Sequence, residues 1–513
     1  MISRAICGLR NAAWRSIARD FALGLVAVTG LAPLNFWPVS LIALGLILHR
    51  VGSAETPGLA ARRAWFVAAG WFGFGLSWIV QPFMVDPLRH GWMAPFALLG
   101  ISFGLGLFWA AAGWLSARLR LGGIGFALTL SLAELARGHV LTGFPWALPG
   151  HIWAATPLAQ MASLSGSYGM TALTLIALAA PLSYGWRRGG ALSLAVLALA
   201  AGWSWHRLAL PEPAALAARA RIVQPNIAQS LKWDPQEADR NFTRLLQMTE
   251  GAAADLVIWP ETAVPYLFEP GSWVPLAMTG AGAGRPVVSG FQRNQGALAW
   301  NSLGVFTGAG EVSQSFDKMH LVPFGEYMPM GDLLWQAFGI RAFAAQVGAG
   351  YSAGGTRDLL DLARAGAAGA GRALPLICYE AIFPGDLSID ARADWMLQVT
   401  NDAWFGTLTG PYQHFDQTRL RAIEQGLPLL RAANTGISGF IDARGRVVEA
   451  PGGQPALLGL GAEGVIDAQI PGALAVPPYA RMLRLAGEWP IVFVLLAGLV
   501  LARFATRPRP YSA

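Results

Sequence analysis

Between residues 20 and 207 the chain runs through long apolar blocks with almost no charge. Nothing else in it restricts the fold so strongly. About 20 consecutive apolar residues are enough to cross a bilayer. Backbone in hydrocarbon must satisfy its own hydrogen bonds, so runs of this kind are read as helices. Eight candidate spans lie near 19–34, 36–50, 64–82, 92–117, 122–141, 160–184, 189–207 and 489–505. The first two are short and meet at Pro33-Leu34-Asn35, which leaves their boundary soft. Only 13% of residues are charged, against about 25% in an ordinary soluble domain. The deficit is local, because residues 208–488 have normal globular content. The expected organisation is a polytopic α-helical membrane domain over 1–207 (helices one to seven), a water-facing domain over 208–488, and an eighth helix with a tail over 489–513. Arg4, Arg10, Arg15 and Arg19 precede an apolar stretch as in a secretory leader. No clear small-residue cleavage site follows and further helices do, so the first span is read as a membrane helix.

The arginines set the expected orientation. They cluster in the N-terminal tail, at Arg50, Arg62 and Arg63, at Arg118 and Arg120, at Arg187 and Arg188, and in the final tail at Arg503, Arg507 and Arg509. The alternate connections are poor in them, with Arg89 as the exception. By the positive-inside rule both termini are cytoplasmic and the large domain faces outward, which in a cell with two membranes is the periplasm. The net charge of +7 is then mostly a topology signal. Nucleic acid is a poor partner, since the arginines are dispersed over helix ends.

The outward domain reads as α/β. Residues 221–226, 255–260, 286–291, 374–379 and 395–401 are short apolar runs ending in polar residues, the pattern of buried strands. Helical spacing covers 236–250 and 412–426, and a hairpin fits 437–441 with 447–449 around Ala443-Arg444-Gly445. The Gly- and Ala-rich stretches 279–285 and 363–371 read as loops.

Only two cysteines are present, Cys7 and Cys378, which argues against a disulfide framework or a cysteine metal site. Cys378 closes the apolar run Leu374 to Ile377 and precedes Tyr379 and Glu380. Alone it fits a small core residue as well as a nucleophile. Glu261 follows Trp259-Pro260 and fits either a helix cap or a general base at a dry strand end. Lys318 is either a surface lysine or, given its neighbours Phe316, Met319, Leu321, Val322 and Phe324, a buried ammonium able to stabilise an oxyanion. Glu326 is a loop carboxylate or a partner of Lys318. Asn401 and Asp402 suit a turn, and His414 suits a structural or rim position. In the helical part Glu134 and Arg137 can pair along one helix face, more readily as structure than as function. Thr142-Gly143-Phe144-Pro145-Trp146 is expected at the outer membrane surface, where aromatic residues anchor.

Taken in order, Gly143 to Trp146, Gln229 to Trp233, Trp259 to Thr262, Asp317 to Tyr327, Cys378 to Glu380, Thr400 to Gly406, Arg421 to Glu424 and Arg431 to Ser438 resemble the nitrilase superfamily. Inside an eight-helix frame they resemble its apolipoprotein N-acyltransferase family. One departure is Leu135, where that family often has an aromatic residue. The resemblance implies an αββα sandwich with a Glu-Lys-Cys triad: Glu261 as base, Cys378 as nucleophile, and Lys318 with the Tyr379 N–H as oxyanion donors. It implies Glu326, Tyr379 and Glu380 as supporting residues and Trp233 in a loop covering the pocket. It further implies a phospholipid acyl donor, a thioester on Cys378, and the α-amine of a diacylglyceryl-cysteine lipoprotein as acceptor. No metal or cofactor is called for, and a monomer suffices. The segments 338–343 and Trp404-Phe405 are expected to touch lipid tails. Three other readings keep parts of this pattern: a membrane-anchored nitrilase-type amidase acting on a small soluble amide, a transporter carrying an outer domain, and a non-catalytic lipid-binding scaffold in which replacing Cys378 would be harmless.

Overall fold

The computed structural model describes residues 2–232, 234–269, 271–296, 298–329 and 350–505. Trp233 and the segment 338–343 lie outside the described residues. The chain divides into two compact units, one of residues 1–210, 407–416 and 481–513, the other of 211–406 and 417–480.

The first unit is helical. Its main helices are α1 (Ile2–Ala27), α2 (Trp37–Gly52), α3 (Pro57–Gly75), α4 (Ala94–Arg118), α5 (Gly122–Arg137) and α6 (Ala162–Leu208). Several begin with proline in the first turn, where its missing N–H costs nothing. Within α6, Gly185 has a φ of +76°, a conformation open to glycine. There the chain doubles back. Ser193 donates to the Ala177 carbonyl at 2.6 Å, Trp203 to Ser163 at 3.0 Å and Arg207 to Gln160 at 3.1 Å. Gly189 lies where a Cβ would meet the Ala180 oxygen at 2.1 Å. So α6 is two antiparallel arms, matching the expected pair 160–184 and 189–207. Among the described residues two helical runs, Pro87–Arg118 and Pro157–Leu208, are long and apolar enough to cross a membrane. The number rises to four if two bent pairs, Pro57–Gly75 with Ser77–Met84 and Pro478–Ala486 with Trp489–Phe504, each count as one span.

Glu134 and Arg137 form a fully buried ion pair at 2.5 Å, and Trp109 donates to Glu134 at 2.7 Å. Arg137 also donates to the Phe144 carbonyl. Trp146 does not sit at a surface. It is buried, donates to Gln413 at 2.6 Å and packs beside Trp78 and His414. Its indole found a protein partner inside the unit, which removes the reason for an amphipathic ring to seek an interface. His414 is thereby a packing residue, as its sequence suggested.

The second unit contains two six-stranded mixed sheets, ordered β12-β1-β2-β3-β4-β5 and β11-β10-β9-β8-β7-β6. The first holds β1 (Arg219–Gln224), β2 (Leu256–Ile258), β3 (Val287–Gln295), β4 (Leu298–Phe306), β5 (Val312–Asp317) and β12 (Gly464–Gln469). The second holds β6 (Leu360–Asp361), β7 (Arg372–Ile377), β8 (Trp395–Thr400), β9 (Leu429–Ala433), β10 (Ser438–Ile441) and β11 (Leu457–Leu458). At the centre of each sheet three strands are parallel, β1-β2-β3 and β7-β8-β9. Parallel strands are covered on both faces and therefore read as unbroken apolar runs. β1 faces β9 and β10, and β4 faces β7, so the sheets stack. Helices α7 (Pro235–Thr249) and α8 (Val274–Ala281) flank the first sheet. On the second, α9 (Gly410–Gln425) docks through Thr418, which donates to Gln398 of β8 at 2.9 Å. The expected loop at 279–285 begins as helix, since α8 runs to Ala281 before the turn.

Candidate active site

Four strand ends converge. Glu261 follows β2, Lys318 follows β5, Cys378 follows β7 and Asn401 follows β8. Carboxyl ends of strands in α/β sheets are where ligands bind, because the loops that leave them are free to diverge.

Glu261 is 6% exposed and held from two sides. One carboxylate oxygen accepts from the Asn301 amide at 2.7 Å and lies 3.5 Å from the Lys318 ammonium. The other accepts the Asn401 main-chain N–H at 2.8 Å. Lys318 is 1% exposed and leans toward Glu326, at 2.9 Å. Glu326 is fixed in turn by Asn301 at 3.0 Å and by the Val322 N–H at 2.9 Å. One lysine thus sits between two carboxylates, hydrogen-bonded to one and in looser contact with the other. Burial works against its charge, but the carboxylates of Glu326 and Glu261 more than offset this and hold the ammonium above the usual lysine range.

Cys378 has a φ of +49°, in the left-handed region that costs a non-glycine residue of order 1–3 kcal/mol. The 3₁₀ turn Cys378–Ile382 follows at once, so the thiol projects from a sharp strand-to-helix bend. Glu380 holds the bend. Its carboxylate accepts the Ile377 N–H at 2.7 Å on one oxygen. On the other it accepts the Met319 N–H at 3.0 Å and the Arg357 guanidinium at 2.7 Å. It therefore ties the strand end bearing Cys378 to the loop bearing Lys318. Gln398 donates to the Cys378 carbonyl at 3.1 Å. Burial, and then the Glu261 charge, push the thiol well above its ordinary range, against the pull of Lys318. These influences favour the thiol over the thiolate, so a nucleophile here needs its proton removed as it reacts. Tyr379 is buried beside the bend, and burial raises its phenol as well.

Asp402 pairs with Arg431 at 2.6 Å and accepts from Thr400 at 2.9 Å, so it supports the turn as its sequence suggested. Asn401 does more than hold a turn, because its N–H grips Glu261 directly. Of the two residues expected to meet lipid tails here, Phe405 is buried and Trp404 half-buried.

Residues 23–180 match the apolipoprotein N-acyltransferase N-terminal domain, and residues 219–476 match the carbon–nitrogen hydrolase family. An apolipoprotein N-acyltransferase of Caulobacter vibrioides is 38% identical, covering 96% of this chain and 96% of its own. One of Bradyrhizobium diazoefficiens is 36% identical, covering 95% of each. The chain belongs to the apolipoprotein N-acyltransferase family. A solved CN-hydrolase superfamily protein of Xanthomonas campestris covers 53% of this chain and 96% of its own, at 21% identity and a TM-score of 0.35.

Several residues of this apolipoprotein N-acyltransferase family member went unmarked in the sequence. Asn301 bridges Glu261 and Glu326 from β4, a strand no apolar run announced. Arg357 anchors Glu380 from a loop. Lys232 is buried with its ammonium 2.9 Å from the Glu261 main-chain oxygen. Only Lys232 carried a signal, as a charged residue inside the segment Gln229 to Trp233.

Proposed function

We propose that Glu261, Lys318 and Cys378 carry out a two-step transfer of a fatty acyl chain from a phospholipid to the α-amine of a lipoprotein's N-terminal diacylglyceryl-cysteine. The observation that supports it best is the buried ammonium of Lys318 between Glu261 and Glu326, in electrostatic reach of a cysteine on a strained bend. In the first step Glu261 takes the Cys378 proton while sulfur attacks the ester carbonyl carbon. Lys318 and the Tyr379 N–H receive the charge that develops on the carbonyl oxygen. The C–O bond breaks, Glu261 returns the proton to the departing oxygen, and a lysophospholipid leaves a thioester behind. In the second step the neutral α-amine attacks the thioester. Glu261 takes the amine proton, the C–S bond breaks, and the thiolate recovers that proton.

Both substrates are lipids, and a helical unit explains how they are met. In this reading the chain crosses the inner membrane eight times, with α6 supplying two crossings around Gly185. Both termini are cytoplasmic, and the second unit works as a monomer at the periplasmic face. Tyr379, Glu326, Glu380 and Trp233 support the pocket.

Intact-mass spectrometry of wild type and Cys378→Ala after incubation with phospholipid tests the proposal. A fatty-acyl increment on wild type, absent from the variant and discharged by a diacylated lipopeptide, is expected. An increment cleared by water but not by the lipopeptide would indicate a lipid hydrolase instead. No increment on folded wild type would refute the phospholipid donor.

A further inference from the structure

Lys232 belongs to no part of the scheme above, yet it is fully enclosed against the residue that scheme relies on as base. Its ammonium donates to the Glu261 carbonyl at 2.9 Å. It lines a recess with Pro225, Ile227, Asn241, Pro260 and Asn434. Asn241 of α7 donates to the Leu231 carbonyl at 3.3 Å, which pins the segment carrying Lys232. A buried lysine is costly unless its charge is used.

The use follows from counting charge. Most ionised groups around the site neutralise one another locally. Glu380 has Arg357, Asp402 has Arg431, and Asp317 has Arg293. Among the described residues four remain: the carboxylates of Glu261 and Glu326, and the ammonium groups of Lys318 and Lys232. With both lysines charged the set is neutral. Moving the Cys378 proton to Glu261 keeps it neutral, since a thiolate replaces a carboxylate. Without the Lys232 charge the same dry site carries one net negative charge before and after the transfer. The developing thiolate then has one cation in place of two.

We propose that Lys232 is a positioning residue for acyl transfer: its ammonium fixes the Glu261 main chain and balances the charge of the Cys378 thiolate. This rests on the thioester reading above. The groups whose charge bears on Lys232 are Glu261 and Cys378. Desolvation by burial lowers its pKa to about 8, against the pull of those two. The sign follows: the ammonium is present below about pH 8 and lost as pH rises through it, so thioester formation should fall on that limb.

The test uses full-length protein in detergent with phospholipid and no amine acceptor, in single turnover between about pH 6 and 9.5. Alkylation of Cys378 by iodoacetamide at pH 7 serves as a second readout that needs no lipid. Lys232→Met should slow both by about tenfold or more, the change that one unit of thiol pKa represents, and should abolish the alkaline limb. Lys232→Arg keeps the charge, so it should retain most of the rate and move the limb upward. Three results would each overturn the proposal: wild-type rates in Lys232→Met, an equal loss in Lys232→Arg, or no alkaline limb in wild type. If Lys232→Met does not fold, the arginine variant and the wild-type profile decide. Wild type that is alkylated normally but never acylated by phospholipid would sink the donor assignment, while the alkylation rates still judge Lys232.

Discussion

Gly290 offers a test of how finely Glu261 must be placed. It lies in β3 directly beneath the base, and its main chain bonds to both sides of the loop that carries it. The Gly290 N–H donates to the Pro260 carbonyl at 3.1 Å, and its carbonyl accepts from Val264 at 3.4 Å. In Gly290→Ala the new methyl would sit 2.3 Å from the Thr262 nitrogen and 2.6 Å from the Glu261 Cα, where ordinary contact begins at 3.4 Å. Both obstacles are main chain, and Thr262 already has a φ of +44°. The loop must therefore move by about 1 Å, a misplacement that costs roughly 10²-fold in rate. Overpacking should also cost about 1–3 kcal/mol of stability. Gly304→Ala is the control. Its methyl would strike the Phe291 ring at 2.7 Å in the same sheet, away from the base. Single-turnover thioester formation and thermal unfolding should separate the two, with comparable instability in both but slow acylation in Gly290→Ala alone. Acylation within about threefold of wild type in an equally destabilised Gly290→Ala would refute the claim that this contact positions the base.

Glu326→Gln should leave Lys318 to bind Glu261 alone and hold the base, lowering thioester formation by about 10²-fold; an unchanged single-turnover rate would contradict this. Arg357→Ala strands the Glu380 carboxylate without its guanidinium and should cost about 3–5 kcal/mol, with partial recovery in Arg357→Lys. A loss below about 1 kcal/mol in detergent unfolding would show that Glu380 does not depend on that partner. Glu134→Gln leaves Arg137 buried and unpaired, so the helical unit should lose stability while the acylation rate per folded molecule is kept. A slower reaction at unchanged stability would overturn the structural reading of that pair.

The sequence exposed what burial makes repetitive. β2, β7 and β8 sit mid-sheet between parallel or covered neighbours, and their unbroken apolar runs announced them. β4 and β5 hid because polar residues interrupt them, and several of those are the useful ones. Asn301 and Ser302 are buried in β4, paired with Glu261, Glu326 and Asp317, which no local pattern can encode. β9 carries the buried Arg431 in a run of only five residues close behind α9, and no strand was read there. In the helical unit, counting apolar residues located the rods but not all of their ends. The apolar stretch 122–141 ends as helix at Arg137, because the left-handed Leu141 and a 3₁₀ turn take its last residues. Glu261 and Cys378 were legible because each closes an apolar strand, and Lys318 because apolar residues surround it in sequence. Glu326 was legible beside Lys318, whereas Asn301 and Arg357 were not, because each comes from a distant segment.

The bond from the Asn401 N–H to Glu261 spans 140 residues and joins the second sheet to the first. Contacts so distant in sequence form late, after loop closure has been overcome. The first sheet alone holds the base from one side only, and neither alone sets a cation beside the thiol. A chain caught half-folded, with one sheet assembled, therefore carries an ordinary buried cysteine and no acylating power. Acylation of Cys378 is in effect a clock for the end of folding. A refolding experiment that follows acylation by phospholipid should lag one that follows backbone structure.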